Sequence, residues 1–251
     1  MKKTALLLSA LLGVSSLFAQ DNPFKVSYDF MYANDHVFRG LEQAGNSLQP
    51  SIEVTVENIY AGFWTNLPVT KEENDEIDIY VGCKKQLTDH LAVDLLGTYY
   101  WYPEAGGGQT KDSYELGLGL SYGIGGFSIS IYGYYDFRLE SATVQASAGY
   151  SLPIKFGRFG ASLDFNVFAG TVSARDWTPD DNRVVWDTGA NRMAGSYKAK
   201  ESYNYYGANL TLPYRLNDKA LLHAGLHYAT NDGIEWTDNK LWFTLGITLG
   251  F

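Results

Sequence analysis

The sequence predicts an all-β fold, an antiparallel up-and-down transmembrane β-barrel of about twelve strands. Three observations predict it: apolar and polar residues alternate with period two along nearly every segment, short and long connections take turns between the segments, and the chain stops on LWFTLGITLGF. A two-residue period is a strand with one apolar and one polar face.

The elements follow in order. Phe24, Val26, Tyr28, Phe30 and Tyr32 alternate with Lys25, Ser27, Asp29, Met31 and Ala33. Leu48, Ile52, Val54 and Val56 oppose Gln49, Ser51, Glu53, Thr55 and Glu57, and a turn made almost by Asn58 alone leads to Ile59, Ala61 and Phe63. Ile77, Ile79, Val81 and Cys83 face away from Glu76, Asp78, Tyr80, Gly82 and Lys84. The next strands carry Leu91 to Trp101, with Leu96 breaking the parity, and Tyr114 to Tyr122. After Gly125 and Gly126 come Phe127 to Phe137, then Val144 to Leu152, then Phe159 to Val167. Tyr206 to Tyr214, Leu222 to Tyr228 and Leu241 to Phe251 complete the set. No helical period competes in residues 20–251.

Connections fix the topology. Asn34 to Asn46, Leu67 to Asp75, Pro103 to Asp112, Ser173 to Glu201 and Asn231 to Asn239 are the longer ones, whereas Asn58, Gln86 to His90, Ile124 to Gly126, Pro153 to Arg158 and Arg215 to Lys219 are short, and the brief loop Arg138 to Glu140 is the one exception to the order. Short turns at one end and longer loops at the other are the arrangement of outer-membrane barrels, with both termini on the periplasmic side.

Periodicity does not say which face points inward; barrel width does. About eight strands already leave an interior that side chains just fill, so a wider soluble barrel would not fill with its apolar face. A two-sheet sandwich would instead expose Tyr60, Trp64, Tyr100, Tyr132 and Trp242. Turned outward, the apolar face meets lipid, and aromatics at the strand ends form two girdles, Tyr99, Trp101, Tyr135 and Phe137 at one and Tyr122, Phe127, Tyr150, Phe159, Tyr214 and Phe251 at the other. Closure also removes the unpaired edges that a membrane forbids.

Targeting agrees. MKKTALLLSALLGVSSLFAQ has two lysines, a short apolar run and Ala19, so residues 1–19 read as a cleaved secretory signal and residues 20–251 as the barrel. The location implied is the bacterial outer membrane. Its lipid and the barrel-assembly machinery are the expected partners, with Phe251 as the assembly signal. The chain holds 19 basic and 28 acidic residues, and losing Lys2 and Lys3 with the signal deepens the net charge of -9. Nucleic-acid binding is therefore not expected. A single cysteine, Cys83, leaves no intramolecular disulfide.

The polar face is acidic. Asp29, Glu53, Glu57, Glu76, Asp78, Asp94, Glu115, Asp136 and Asp164 stand against Lys25, Lys84 and Arg39. Lining a lumen, they would attract cations; tied into networks, they would plug it. Arg39, with Glu42, has the alternatives of holding the first loop against this acidic wall or standing solvated. Inward tyrosines either stack solutes or pack over the inward glycines, whose other role is barrel curvature.

DHVFRGLEQ (35–43), YAGFWTN (60–66), DEIDIYVG (75–82), YYWYPEAG (99–106) and DSYELGLGLSYG (112–123) appear in that order. Together they resemble the TorF family of porins over the first half of the barrel. His36 stands where an aromatic is expected, and the long segment 173–201 departs from the compact family pattern. The resemblance implies an outer-membrane channel and supplies no catalytic residues.

The function expected is passive diffusion of small hydrophilic solutes, with a preference for cations. The rivals are a barrel enzyme acting on lipid and a non-conducting structural or adhesion barrel. For the enzyme, His223 and His227 share the inward face and Ser121 or Ser128 would be the nucleophile, but no spacing specifies a triad. No cofactor or metal is expected: the glycines at 106–108 are followed by no helix, and KEENDEID (71–78) lacks EF-hand spacing.

Overall fold

In this computed structural model, residues 24–70, 73–105, 110–155, 160–174, 185–187, 192–194, 202–232 and 239–250 are described. The signal, Phe159, Phe251 and most of the segment 173–201 lie outside them.

Twelve strands close into one antiparallel barrel. They are β1 (Phe24–Ala33), β4 (Ser47–Val56), β5 (Ile59–Pro68), β6 (Glu76–Gln86), β7 (Leu91–Trp101), β8 (Asp112–Ile124), β9 (Phe127–Asp136), β10 (Ser141–Ile154), β11 (Ala161–Ala174), β14 (Ser202–Asn217), β15 (Ala220–Asn231) and β16 (Lys240–Gly250). Each strand pairs with the next along the chain, and β1 closes the ring by pairing with both β4 and β16. Two small hairpins stand outside this ladder, β2 (His36–Phe38) with β3 (Leu41–Ala44), and β12 (Val185–Asp187) with β13 (Arg192–Ala194).

The apolar face points outward. Phe30, Val81, Leu118, Ile129 and Leu245 are each more than half exposed, and Cys83 shares that surface. The aromatic ends also cluster as the girdles require: Phe127 meets Tyr150 at 4.5 Å and Phe137 stacks on Tyr114 at 5.5 Å. Such a surface is stable only against lipid. Inside lie Trp64, Tyr100 and Tyr205, nearly or fully inaccessible.

Two local readings change. Val56 pairs with Ile59, so the turn is Glu57 and Asn58 together. Glu57 takes φ 54° there and is exposed rather than on the inner face. The connection between Ala33 and Ser47 is not an open loop, because β2 and β3 fold inside the barrel, where His36, Val37, Phe38 and Ala44 are buried.

Candidate functional site

The lumen is built by one repeated packing unit. An inward aromatic or histidine lies flat over a glycine on the adjoining strand and reaches a polar group two strands away. Tyr60 on β5 crosses Gly82 on β6, its direct partner, and donates to Asp94 Oδ1 on β7 at 2.9 Å. From the other side, Tyr132 on β9 crosses Gly119 on β8 and donates to Asp94 Oδ2 at 3.0 Å. Tyr80 crosses Gly62 to reach Glu53 Oε2 at 3.1 Å. Tyr205 crosses Gly170 to reach Gln145 Oε1 at 2.8 Å, and His223 crosses Gly246 to meet Asp29 Oδ1 at 2.7 Å. A side chain at the crossed glycine would collide: a Cβ at Gly119 would lie 2.1 Å from the Tyr132 ring. Glycine in a strand marks such close approach.

These units seal the wall from β4 to β9. Tyr60, Trp64, Tyr80, Leu96, Tyr132 and Tyr134 form one buried cluster. Of the nine carboxylates expected on the polar face, all but Glu57 project inward, with different surroundings. Asp94 is 1% exposed between its two phenols, and Asp136 is fully buried, accepting from Ser113 Oγ at 2.6 Å and from the backbone N–H groups of Arg138 and Leu139. Glu115 accepts from Tyr100 at 3.1 Å and from Arg39 Nη2 at 2.9 Å. Glu76 takes the Tyr102 hydroxyl at 2.8 Å and lies 3.1 Å from His36 Nε2. Asp78 is also buried, in register between Trp64 and Tyr100. Glu53, Asp29 and Asp164 keep partial access to the lumen; Thr248 and Ser151 donate to Asp29 and Asp164 respectively.

Arg39 sits in the tip of the β2–β3 hairpin. Its guanidinium lies 4.5 Å from the Phe38 ring centre and 4.9 Å from that of Tyr134, beside Glu115. Burial works against its charge, yet Glu115, Tyr205 and Tyr100 raise its pKa above the ordinary arginine value, so it remains a cation. Of its two sequence alternatives, Arg39 takes the one against the acidic wall; Glu42 pairs instead with Lys240 at 2.5 Å.

The opposite wall, from β10 to β15, leaves space. A cavity of about 820 Å³ lies under the hairpin and reaches the short-turn end at His90, Gly123 and Gly160. Small neutral polar groups line much of it, including Ser130, Gln145, Ser147, Asn166, Asn209 and Thr211. Asp89, Asp164, Lys84 and Arg215 add charge toward that end. His227 also lines it, stacked 5.2 Å from Trp242, with Nδ1 2.8 Å from Asn209 Oδ1 and Nε2 2.9 Å from Thr244 Oγ1. Both its nitrogens are thus engaged, and His223 is held by Asp29. Among the described residues no cluster of three or more histidine, cysteine or carboxylate side chains stands ready for a metal.

The hairpin and the pairing of inward tyrosines with particular glycines are what the sequence reading missed, packing over glycines being one of its two alternatives. FRGL carried a signal for the first, since an αL-tolerant glycine between short apolar runs marks a tight hairpin. The second needed the strand register.

The closed twelve-strand ring, lipid-facing apolar band and polar interior define an outer-membrane β-barrel of the porin type. Residues 18–150 match the family model Gcw_chp, described as a bacterial protein of unknown function, and the chain belongs to that family. That description does not carry the TorF name. Among curated proteins nothing matches. Solved structures share the fold at low identity. The NanC porin is 11% identical with a TM-score of 0.53, the alignment covering 89% of this chain and 98% of that one. The KdgM porin is 7% identical with a TM-score of 0.52, covering 90% and 99%. An outer membrane channel from Pseudomonas putida F1 is 10% identical with a TM-score of 0.52, covering 91% and 94%.

Proposed function

We propose that the protein is a channel of the TorF porin kind, through which small hydrophilic solutes diffuse passively across the outer membrane. The observation that carries this reading is the 820 Å³ cavity inside the closed barrel, open at the short-turn end and lined by hydroxyls and amides. Such a surface exchanges hydrogen bonds with any small polar solute without holding it tightly, as conduction requires. The cation preference rests on Asp164 and Asp89 in the cavity lining and on the half-buried inner-face Asp29 and Glu53, and Lys84 and Arg215, which line the same cavity, oppose it.

Purified protein in a planar bilayer should give discrete single-channel currents, and a potassium chloride gradient a reversal potential favouring potassium. Asp89→Asn with Asp164→Asn should move that potential toward zero. Glu76→Gln with Asp94→Asn should move it much less, because those carboxylates are sealed beneath Tyr102, Tyr60 and Tyr132. An anion-selective current would refute the acidic contribution, and a folded barrel that stays silent even with residues 36–44 replaced by a flexible linker would refute the channel.

The reading includes export through the signal at residues 1–19 and recognition of Phe251 by the barrel-assembly machinery. Deleting Phe251 should lower the amount of heat-modifiable barrel in outer membranes, and unchanged assembly would remove that role.

A further inference from the structure

The β2–β3 hairpin has no strand partner in the barrel, whose ring of ladders is complete without it. Its two feet are tied to the rim. Asn34 exchanges hydrogen bonds with the Phe243 backbone, its Oδ1 accepting at 2.6 Å; Asn46 accepts from Tyr32, and the Gly45 N–H donates to Glu73 Oε2 at 3.0 Å. Between the feet, the hairpin runs inward and forms the ceiling of the cavity with Val37, Phe38, Arg39 and Gly40.

The tip meets both walls at once. On the sealed wall it is held by the Arg39–Glu115 ion pair. On the open wall Val37 packs with Ala229 and Trp242, Leu41 packs against the Tyr203 and Tyr205 cluster, and Asn231 Nδ2 donates to the Gly40 carbonyl at 3.0 Å. Gly40 takes φ 77° beside Arg39 at φ 48°, the paired positive values of a two-residue hairpin turn. It also fits flush: a Cβ there would lie 2.7 Å from the Thr230 carbonyl oxygen and 2.8 Å from Tyr205 Cβ.

We propose that this hairpin is the gate of the channel, closing the cavity at its outer end and opening it when the tip leaves Glu115 and swings out about its tethered feet. The inference rests on the channel reading and adds its regulation. The contacts divide accordingly. Feet bound to the rim keep the segment in place, while the tip is retained by side-chain contacts and by the Asn231–Gly40 hydrogen bond, with no backbone ladder to the barrel among the described residues. An ion pair is suited to such a latch because each partner is hydrated once they part, whereas a strand ladder would leave a row of orphaned N–H and C=O groups.

Three forms of the full chain, each carrying Cys83→Ser, test it in planar bilayers. Arg39→Ala should raise the open fraction several-fold above the parent. Val37→Cys with Ala229→Cys, whose native side chains share one cluster, should be silent when oxidised and regain parental current on adding a reducing agent. Replacing residues 36–44 by a glycine-serine linker should conduct continuously. Heat-modifiability of every form shows that the barrel is folded. Parental currents from all three forms, in both redox states for the cysteine pair, would overturn the gate and leave the channel standing. Silence from all three while folded would overturn the channel, and the gate with it.

Discussion

The wall from β4 to β9 and the wall from β10 to β15 share a continuous antiparallel ladder and the same apolar outer face, yet the first holds a buried aromatic cluster while the second supplies the larger share of the cavity lining, which the first joins at Lys84, Ser121 and Ser130. Both use the ring-over-glycine crossing, at Tyr60, Tyr80 and Tyr132 on the first and at Tyr205 and His223 on the second. Convergence makes the difference. On the sealed wall the crossings lie side by side and converge on shared carboxylates, so Asp94 is bracketed by two phenols. On the open wall Tyr205 ends on the neutral Gln145, and the positions below it are Ser147, Gly149, Ser151, Asn166, Asn209 and Thr211. Their volume does not reach the barrel axis. A charge buried without donors is costly, and buried Asp94, Asp136, Glu115 and Glu76 each have phenol, hydroxyl, guanidinium or backbone donors. The hairpin then bridges the two walls, its cation on the acidic side and its apolar flank on Trp242.

This contrast is sharpest at a converging side chain. Tyr132→Ala removes a buried ring from between Gly119 and Asp94, and truncating a large buried aromatic costs about 3–5 kcal/mol. The denaturant midpoint of the barrel in lipid vesicles should fall accordingly, and an unchanged midpoint would mean that the sealed wall is not a packed core. Glycines give the graded comparison. Gly119→Ala pushes a methyl group into the clamped Tyr132 ring and should cost about 1–3 kcal/mol in the same titration. Gly149→Ala, on the open wall, meets the Ser128 hydroxyl at 2.9 Å, which can rotate toward the cavity, and the Phe165 carbonyl oxygen at 3.3 Å, so it should cost about 1 kcal/mol, less than the change at Gly119. Equal losses at the two glycines would erase the distinction between the walls.

Much of this was legible in one dimension. Period two along the chain placed Phe30, Val81, Leu118 and Leu245 on one face and Asp29, Glu53, Asp94 and Glu115 on the other, because a strand has no choice about alternation. Connection lengths oriented the ring, since short turns bring neighbouring strands together at one end and leave longer loops at the other. Barrel width then turned the apolar face to lipid. What stayed hidden depended on register: that Tyr132 lies opposite Gly119 and that both point toward Asp94 follows from which residues of β7, β8 and β9 come level, and a shift of one residue would turn every side chain over.

Sequence by itself therefore determined the strands, their two faces and the closed membrane barrel, all consequences of local periodicity and of the membrane's intolerance of unpaired backbone. Tertiary structure alone decided which carboxylates are sealed and which face open space, and that Arg39 ends inside the lumen. Those outcomes depend on distances between residues 76 apart in the chain, as for Arg39 and Glu115, and no local pattern encodes such a distance.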